Sequence, residues 1–158
     1  MPNDSATSID ELLGLDLWLD YRSSPGFYEN ADFRDELHAN SKRDLRVARG
    51  VDTIRQSIAN RLKTRKGELS PLGHPNYGSR HHELVGEPNV ERTRNLIKLY
   101  VLQALKQEQR IEKVLKAKVF AEQEPPRSTV RIELQLQIRK VALPLSIIVP
   151  FSLSESQL

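Results

Sequence analysis

The clearest pattern along the chain is the alternation of Val130, Ile132, Leu134, Leu136 and Ile138 with Arg131, Glu133, Gln135, Gln137 and Arg139. A period of two sends the two sets to opposite faces, so the spacing predicts a strand with one core face and one wet face. Leu143, Leu145, Ile147, Val149 and Phe151 continue the alternation at odd positions, and that change of parity requires a turn or bulge near Lys140. Upstream, Leu115, Ala117 and Val119 alternate with Lys116, Lys118 and Phe120, and Glu124-Pro125-Pro126-Arg127-Ser128 breaks the run. The pattern predicts three strands in a meander.

Helical spacing precedes the strands. Leu96, Ile97, Tyr100, Val101, Ala104 and Leu105 fall within one half of a helical wheel, an ordinary core face. Leu99 and Leu102 point to the other side, which implies wrapping by the chain itself or by a partner. Ile54, Ile58 and Leu62 recur every fourth residue, predicting a helix from an Asp52 N-cap to about Thr64, with Gly67 as its stop. From Glu68 to Gly78 the prolines and glycines predict loop. A short helix is expected over Ser79 to Val85, and Pro88-Asn89 supplies the cap of the long helix.

The N-terminal part is less regular. Leu13, Leu15, Leu17 and Leu19 alternate with polar residues and with Gly14 and Trp18, a short strand. Tyr21 to Arg43 shows no clear period and contains the turn signal Ser23-Ser24-Pro25-Gly26, so an extended arm is expected over residues 1–43. Asp44 to Ala48 adds another short strand before Gly50. The fold class read from the pattern is α+β. Two main helices pack on a small three-stranded antiparallel meander, in a domain over residues 44–158.

Composition narrows the function classes. A chain of 158 residues with 38% hydrophobic and 28% charged residues reads as globular. No apolar run approaches the ~20 residues of a spanning helix, so no direct membrane insertion is expected. The acidic start, with Asp4, Asp10, Glu11, Asp16 and Asp20 and no base before Arg22, lacks the basic n-region of a secretory signal. Without cysteine, disulfides and thiolate zinc sites are excluded, and the cytoplasm is the expected compartment. The net charge of +3 gathers at Arg92, Arg94, Lys98, Lys106, Arg110, Lys113, Lys116 and Lys118, but acids interleave and no aromatic platform accompanies them. That reads as a solvated face, with no nucleic-acid partner.

Candidate chemistry is sparse. His74, His81 and His82 lack the HExxH spacing and read as surface loop histidines. No GxSxG elbow, GxxxxGK[ST] loop or GxGxxG loop is present. Glu68 and Glu83, flanking the loop, are the one pair worth testing for glycoside hydrolysis, which needs two carboxylates ~5–9 Å apart and one raised pKa. No catalytic residue, metal ligand or cofactor is assigned. Glu108-Gln109-Arg110 sits where helical spacing gives way to alternation, a junction at which backbone groups need partners.

From Gly14 to Phe151 the order of landmarks resembles the gene-25-like baseplate wedge family of contractile tails, often labelled a lysozyme family. The carrying residues are Gly14-Leu15-Asp16-Leu17, Asp44-Leu45 leading to Gly50, and Ile54, Gln56 and Ile58. The loop motif follows with Leu62-Lys63-Thr64-Arg65-Lys66-Gly67-Glu68 and His74-Pro75-Asn76-Tyr77-Gly78-Ser79. Ala104-Leu105 leads to Glu108-Gln109-Arg110-Ile111, and Pro150-Phe151 closes the last strand. The family hallmark at the junction is Glu-Pro-Arg. Here Gln109 stands in place of the proline, which permits a further helical residue and restores an amide donor.

The resemblance implies a structural, non-enzymatic component of phage tails, type VI secretion systems or extracellular injection particles. It would bind the helical core bundle of the baseplate wedge through Glu108, Gln109 and Arg110. It would start the first sheath ring on an edge strand over Leu145, Ser146, Ile147, Ile148 and Val149. Thr64, Gly67, Glu68, Pro75, Tyr77 and Gly78 form the family's motif loop. Tube or hub proteins are further expected neighbours, in a particle assembled in the cytoplasm. The alternatives are a tail lysozyme and an anti-adaptor regulatory protein that shares the fold.

Overall fold

The computed structural model describes residues 13–21, 31–33, 35–37, 43–45, 47–123 and 127–154. The Ser23–Gly26 turn and the Glu124–Pro126 break lie outside the described residues. The chain forms two compact units, Met1–Ser57 and Ile58–Leu158, with the division inside the first helix.

In the first unit, β1 (Leu15–Leu17) pairs antiparallel with β6 (Val47–Arg49), setting Asp16 opposite Ala48. Two further antiparallel pairs join β2 (Leu19–Tyr21) to β3 (Ala31–Phe33) and β4 (Asp35–Leu37) to β5 (Arg43–Leu45). The expected extended arm is thus partly paired. Leu19 and Asp44–Leu45 belong to the short strands that the pattern predicted, whereas Ala31–Phe33 and Asp35–Leu37 are too short to show a period. Helix α1 (Val51–Lys63) follows Gly50, whose φ of 56° only glycine adopts cheaply. The helix therefore begins two residues earlier than an Asp52 N-cap would set it. Asp52 lies inside its first turn, held to Arg55 at 2.9 Å, and does not serve as the N-cap.

Gln56 ties α1 to the leading strand. Its Nε2 donates to Asp16 Oδ2 at 2.9 Å and to the Leu17 carbonyl at 2.8 Å, and its Oε1 accepts from the Leu19 amide at 2.8 Å. A buried amide with its donors and acceptor all engaged fixes register where a short strand alone would slip.

The second unit holds the meander. Strands β7 (Ile111–Ala121), β8 (Thr129–Ile138) and β9 (Leu145–Ser152) form an antiparallel sheet in that order. Rungs such as Val119–Ile132–Val149 and Ala117–Leu134–Ile147 cross its inner face. Every even residue of β8 from Val130 to Ile138 is buried, as the alternation predicted. The turn after β8 carries Lys140 at φ 61°, the one non-glycine residue with positive φ among the described residues. That turn produces the change of parity.

Strand β7 departs from its pattern. Register shifts between Ile111 and Lys113 and between Val114 and Lys116 mark bulges, so Val114 opposes Leu136 and Leu115 turns outward to 45% exposure.

Helix α2 (Glu91–Leu105) packs against β7 and a 3-10 turn at Arg80–Leu84, which stands where a short helix was expected. Ile97, Val101, Ala104 and Leu105 are buried and Leu99 is 48% exposed, so the second apolar strip is real. Its N-cap is Val90, not Asn89. The Asn89 side chain instead donates to the Arg127 carbonyl and accepts from Arg94 at 2.9 Å.

Candidate functional site

Helix α2 ends at Leu105, and the chain reverses into β7 through Glu108-Gln109-Arg110. The Ile111 amide donates to the Glu108 carbonyl at 3.1 Å, closing a four-residue turn with Gln109 at its second position. Gln109 is exposed and does not lengthen the helix. Glu108 turns inward and is 8% exposed. Its Oε1 accepts from the Arg110 backbone amide at 3.2 Å and from Arg110 Nε at 2.7 Å, and its Oε2 accepts from Nη2 at 2.8 Å. Burial pushes the Glu108 carboxyl up, but the Arg110 bonds and charge, with Arg61, outweigh it and hold the group below its usual value. Arg110 is 22% exposed, so the pair presents guanidinium edges outward from a fixed fork.

The motif loop is a brace of main chain. The Ser79 amide donates to the Thr64 carbonyl at 2.9 Å and the Lys66 amide to the Ser79 carbonyl at 3.1 Å, making a parallel bridge between Arg65 and Ser79. Thr64 Oγ1 donates to the Asn60 carbonyl at 2.8 Å, and Glu68 Oε2 accepts from the Arg65 amide at 2.9 Å. Gly67 has φ of 87° at the turn. Gly78 is more tightly constrained: a Cβ there would lie 2.6 Å from the Thr64 oxygen. Pro75 is exposed at the second position of the turn that the Tyr77 amide closes on the His74 carbonyl at 3.2 Å, and the Tyr77 ring carries the Arg61 guanidinium 4.5 Å from its centroid.

His81 and His82 are not surface loop residues. His81 is 1% exposed, with Nδ1 2.8 Å from Ser79 Oγ. His82 Nε2 donates to the Leu62 carbonyl at 2.8 Å. The two rings lie 4.2 Å apart, and Phe151 at the end of β9 meets His81 edge-on at 4.5 Å. Burial lowers His81 to about 3 and lowers His82 as well, so both are neutral. Loop composition hid them, because the packing that buries them comes from α1 and β9.

The acids meant for hydrolysis do other work. Glu83 forms a two-point pair with Arg80, at 3.0 and 2.9 Å, and that bond holds its carboxyl below the usual value. Glycoside hydrolysis requires one acid to be raised. Glu68 is spent on the Arg65 amide. Among the described residues no group of three or more His, Asp or Glu is set to hold a metal ion.

Strand β9 is an edge. Leu145, Ile147 and Val149 are buried, while Ser146 and Ile148 face out, Ile148 at 60% exposure. The opposite edge, β7, carries Lys113, Lys116 and Lys118 and two bulges, features that discourage pairing.

A family model for baseplate wedge protein gp25 matches residues 48–142. The chain belongs to that family. The match takes in α1, the motif loop, α2, the Glu108–Arg110 corner and strands β7 and β8 of the gp25-like fold. Four solved chains are also similar. One is a Geobacter sulfurreducens protein described as a candidate tail lysozyme, 28% identical, with a TM-score of 0.57 over 65% of this chain and 90% of that one. No curated protein matches the chain. Membership of the gp25-like family gives the chain a structural role in a baseplate. No described helix is long and apolar enough to cross a membrane.

Proposed function

We propose that this chain joins the baseplate wedge of a contractile, phage tail-like particle to its sheath and templates the first sheath ring. The observation that carries the reading is the contrast between the two sheet edges. Strand β9 offers Leu145 to Val149 without a bulge, between Pro144 and Pro150, whereas bulges and lysines guard β7. A sheath arm adding to β9 as a fourth strand gains main-chain hydrogen bonds and alternating contacts, Ile148 among them, without needing a deep pocket. The Glu108–Arg110 fork, with Gln109 at the turn, is the contact to the helical bundle of the wedge proteins. The motif loop from Thr64 to Gly78 is bonded to the end of α1, whose Arg61 reaches Gln107 beside that corner. Assembly takes place in the cytoplasm, with tube or hub proteins as neighbours, and the role requires no catalytic group.

Successive amides along a strand alternate between facing β8 and facing outward, so proline at Ile147 or at Ile148 removes one of each kind. Thermal melts of Ile147→Pro and Ile148→Pro identify the variant that keeps its fold. That variant is expected to enter baseplates and to stop sheath growth. Long contractile sheaths on particles carrying it rule the mechanism out.

A further inference from the structure

Beside the corner, Lys66, Ser79, Arg80, Tyr100, Gln103 and Gln107 line a small cleft between the motif loop and α2. Its polar groups are mostly donors. Arg61 donates to Gln107 Oε1 at 3.3 Å while stacked on Tyr77, which occupies the Gln107 acceptor and leaves its amide hydrogens for another group. Arg80 lies over Tyr100, 4.6 Å from the ring centroid. The acids nearby are already committed, Glu83 to Arg80 and Glu108 to Arg110, so Arg61 and Lys66 keep a positive excess along this face. Gln103 lies in the last turn of α2, and Gln107 lies in the turn just past its end, where its backbone amide donates to the Ala104 carbonyl at 3.3 Å.

We infer that this cleft receives an acidic side chain on a surface helix of a baseplate wedge protein. The inference rests on the wedge-binding reading above and adds the chemistry of the partner. A carboxylate there bonds Lys66 and the Gln107 amide, while the Glu108–Arg110 fork fixes the end of the docked helix. Lys66 and Gln103 are exposed, so changing them leaves the core intact.

The test captures the full chain on the wedge proteins of its own particle, co-expressed, across a series of salt concentrations. Lys66→Glu is expected to weaken capture by about tenfold or more, Gln103→Glu to act in the same direction, and Lys66→Arg to retain binding. The wild-type signal is expected to fall with salt more steeply than that of Lys66→Glu. Equal capture of wild type and Lys66→Glu at every salt concentration overturns the cleft and leaves the wedge reading standing. Failure of the wild type to be captured overturns both. Retention of duplex DNA by the wild type, lost in Lys66→Glu while wedge capture is unchanged, assigns the face to nucleic acid and overturns the inference.

Discussion

The buried histidine pair makes the second unit acid-labile in a window where carboxylates are still ionised. His81 is 1% exposed, and burial, then the neighbouring His82 ring, lowers it from 6.5 to about 3. Between those values the unfolded chain binds a proton that the folded chain refuses. Stability is therefore full above pH 6.5 and drains as the pH falls. Linkage gives a loss of about 2 kcal/mol at pH 5 and about 3 kcal/mol at pH 4 from His81 alone. His82 is also lowered, by burial and the Arg65 charge against the Leu62 carbonyl and Glu68, and adds in the same direction. Glu83 and Glu108 are held below the usual carboxylate value, so their contribution is lost only as the pH falls below about 4.5 and leaves the interval from pH 7.5 to 5 to the histidines. At about 2–4 °C per kcal/mol for a chain of this size, the expected drop in melting temperature from pH 7.5 to 5 is roughly 4–8 °C. His81→Gln costs stability at neutral pH but flattens most of that dependence. Proton NMR of the imidazole ring supplies the direct check. A His81 titration near 6.5, or an identical pH dependence in His81→Gln, refutes the reasoning.

Gly78→Ala places a Cβ 2.6 Å from the Thr64 oxygen at a φ of 94° and is expected to lose about 2–4 kcal/mol in a denaturant titration. Gly73→Ala, at φ 84° with nothing within 4 Å, loses only about 1–2 kcal/mol, and equal losses at the two sites refute the close approach. Gln109→Pro is expected to stabilise by about 0.4–1 kcal/mol in the same titration, because the turn position suits proline and the Gln109 amide donates to no described group. Destabilisation means that the turn has the wrong torsion for proline. Replacing Glu108 and Arg110 together by alanine removes both members of the fork and is expected to leave a folded chain that fails to co-purify with wedge proteins. Normal co-purification removes the corner from the interface.

Much of the second unit was legible because its patterns are local. Alternation in β8 survives into the structure residue by residue, since both neighbours of that strand belong to the same meander. The wheel of α2 survives as well, down to the outward Leu99. What failed depended on distant contacts or on single-residue defects. A bulge beside Val114 reverses Leu115, and one inserted residue is invisible to a period of two. His81 read as a polar loop residue because the Phe151 ring that closes its cavity comes from the far end of β9, although its partner Ser79 lies only two residues away.

The corner joins both cases. Sequence placed Glu108 and Arg110 at a helix-to-strand junction and left open what glutamine does in place of proline. In the structure the turn closes without proline because Glu108 supplies the order that a fixed torsion would have supplied. Its carboxylate accepts the Arg110 amide within the turn and the guanidinium outside it. A carboxylate engaged in this way is a positioning group, and Arg110 is the group with surface left to offer. Losing Glu108 alone then frees the fork before it weakens any contact, so Glu108→Gln and Arg110→Ala differ in kind. Glu108→Gln keeps a neutral acceptor, loses a charge-assisted bond of about 1.5–3 kcal/mol, and loosens the corner measurably in a melt. Arg110→Ala leaves a buried carboxylate without its guanidinium, which costs stability and binding together. A Glu108→Gln variant that melts with the wild type while losing wedge binding reverses this order and makes Glu108 the contact.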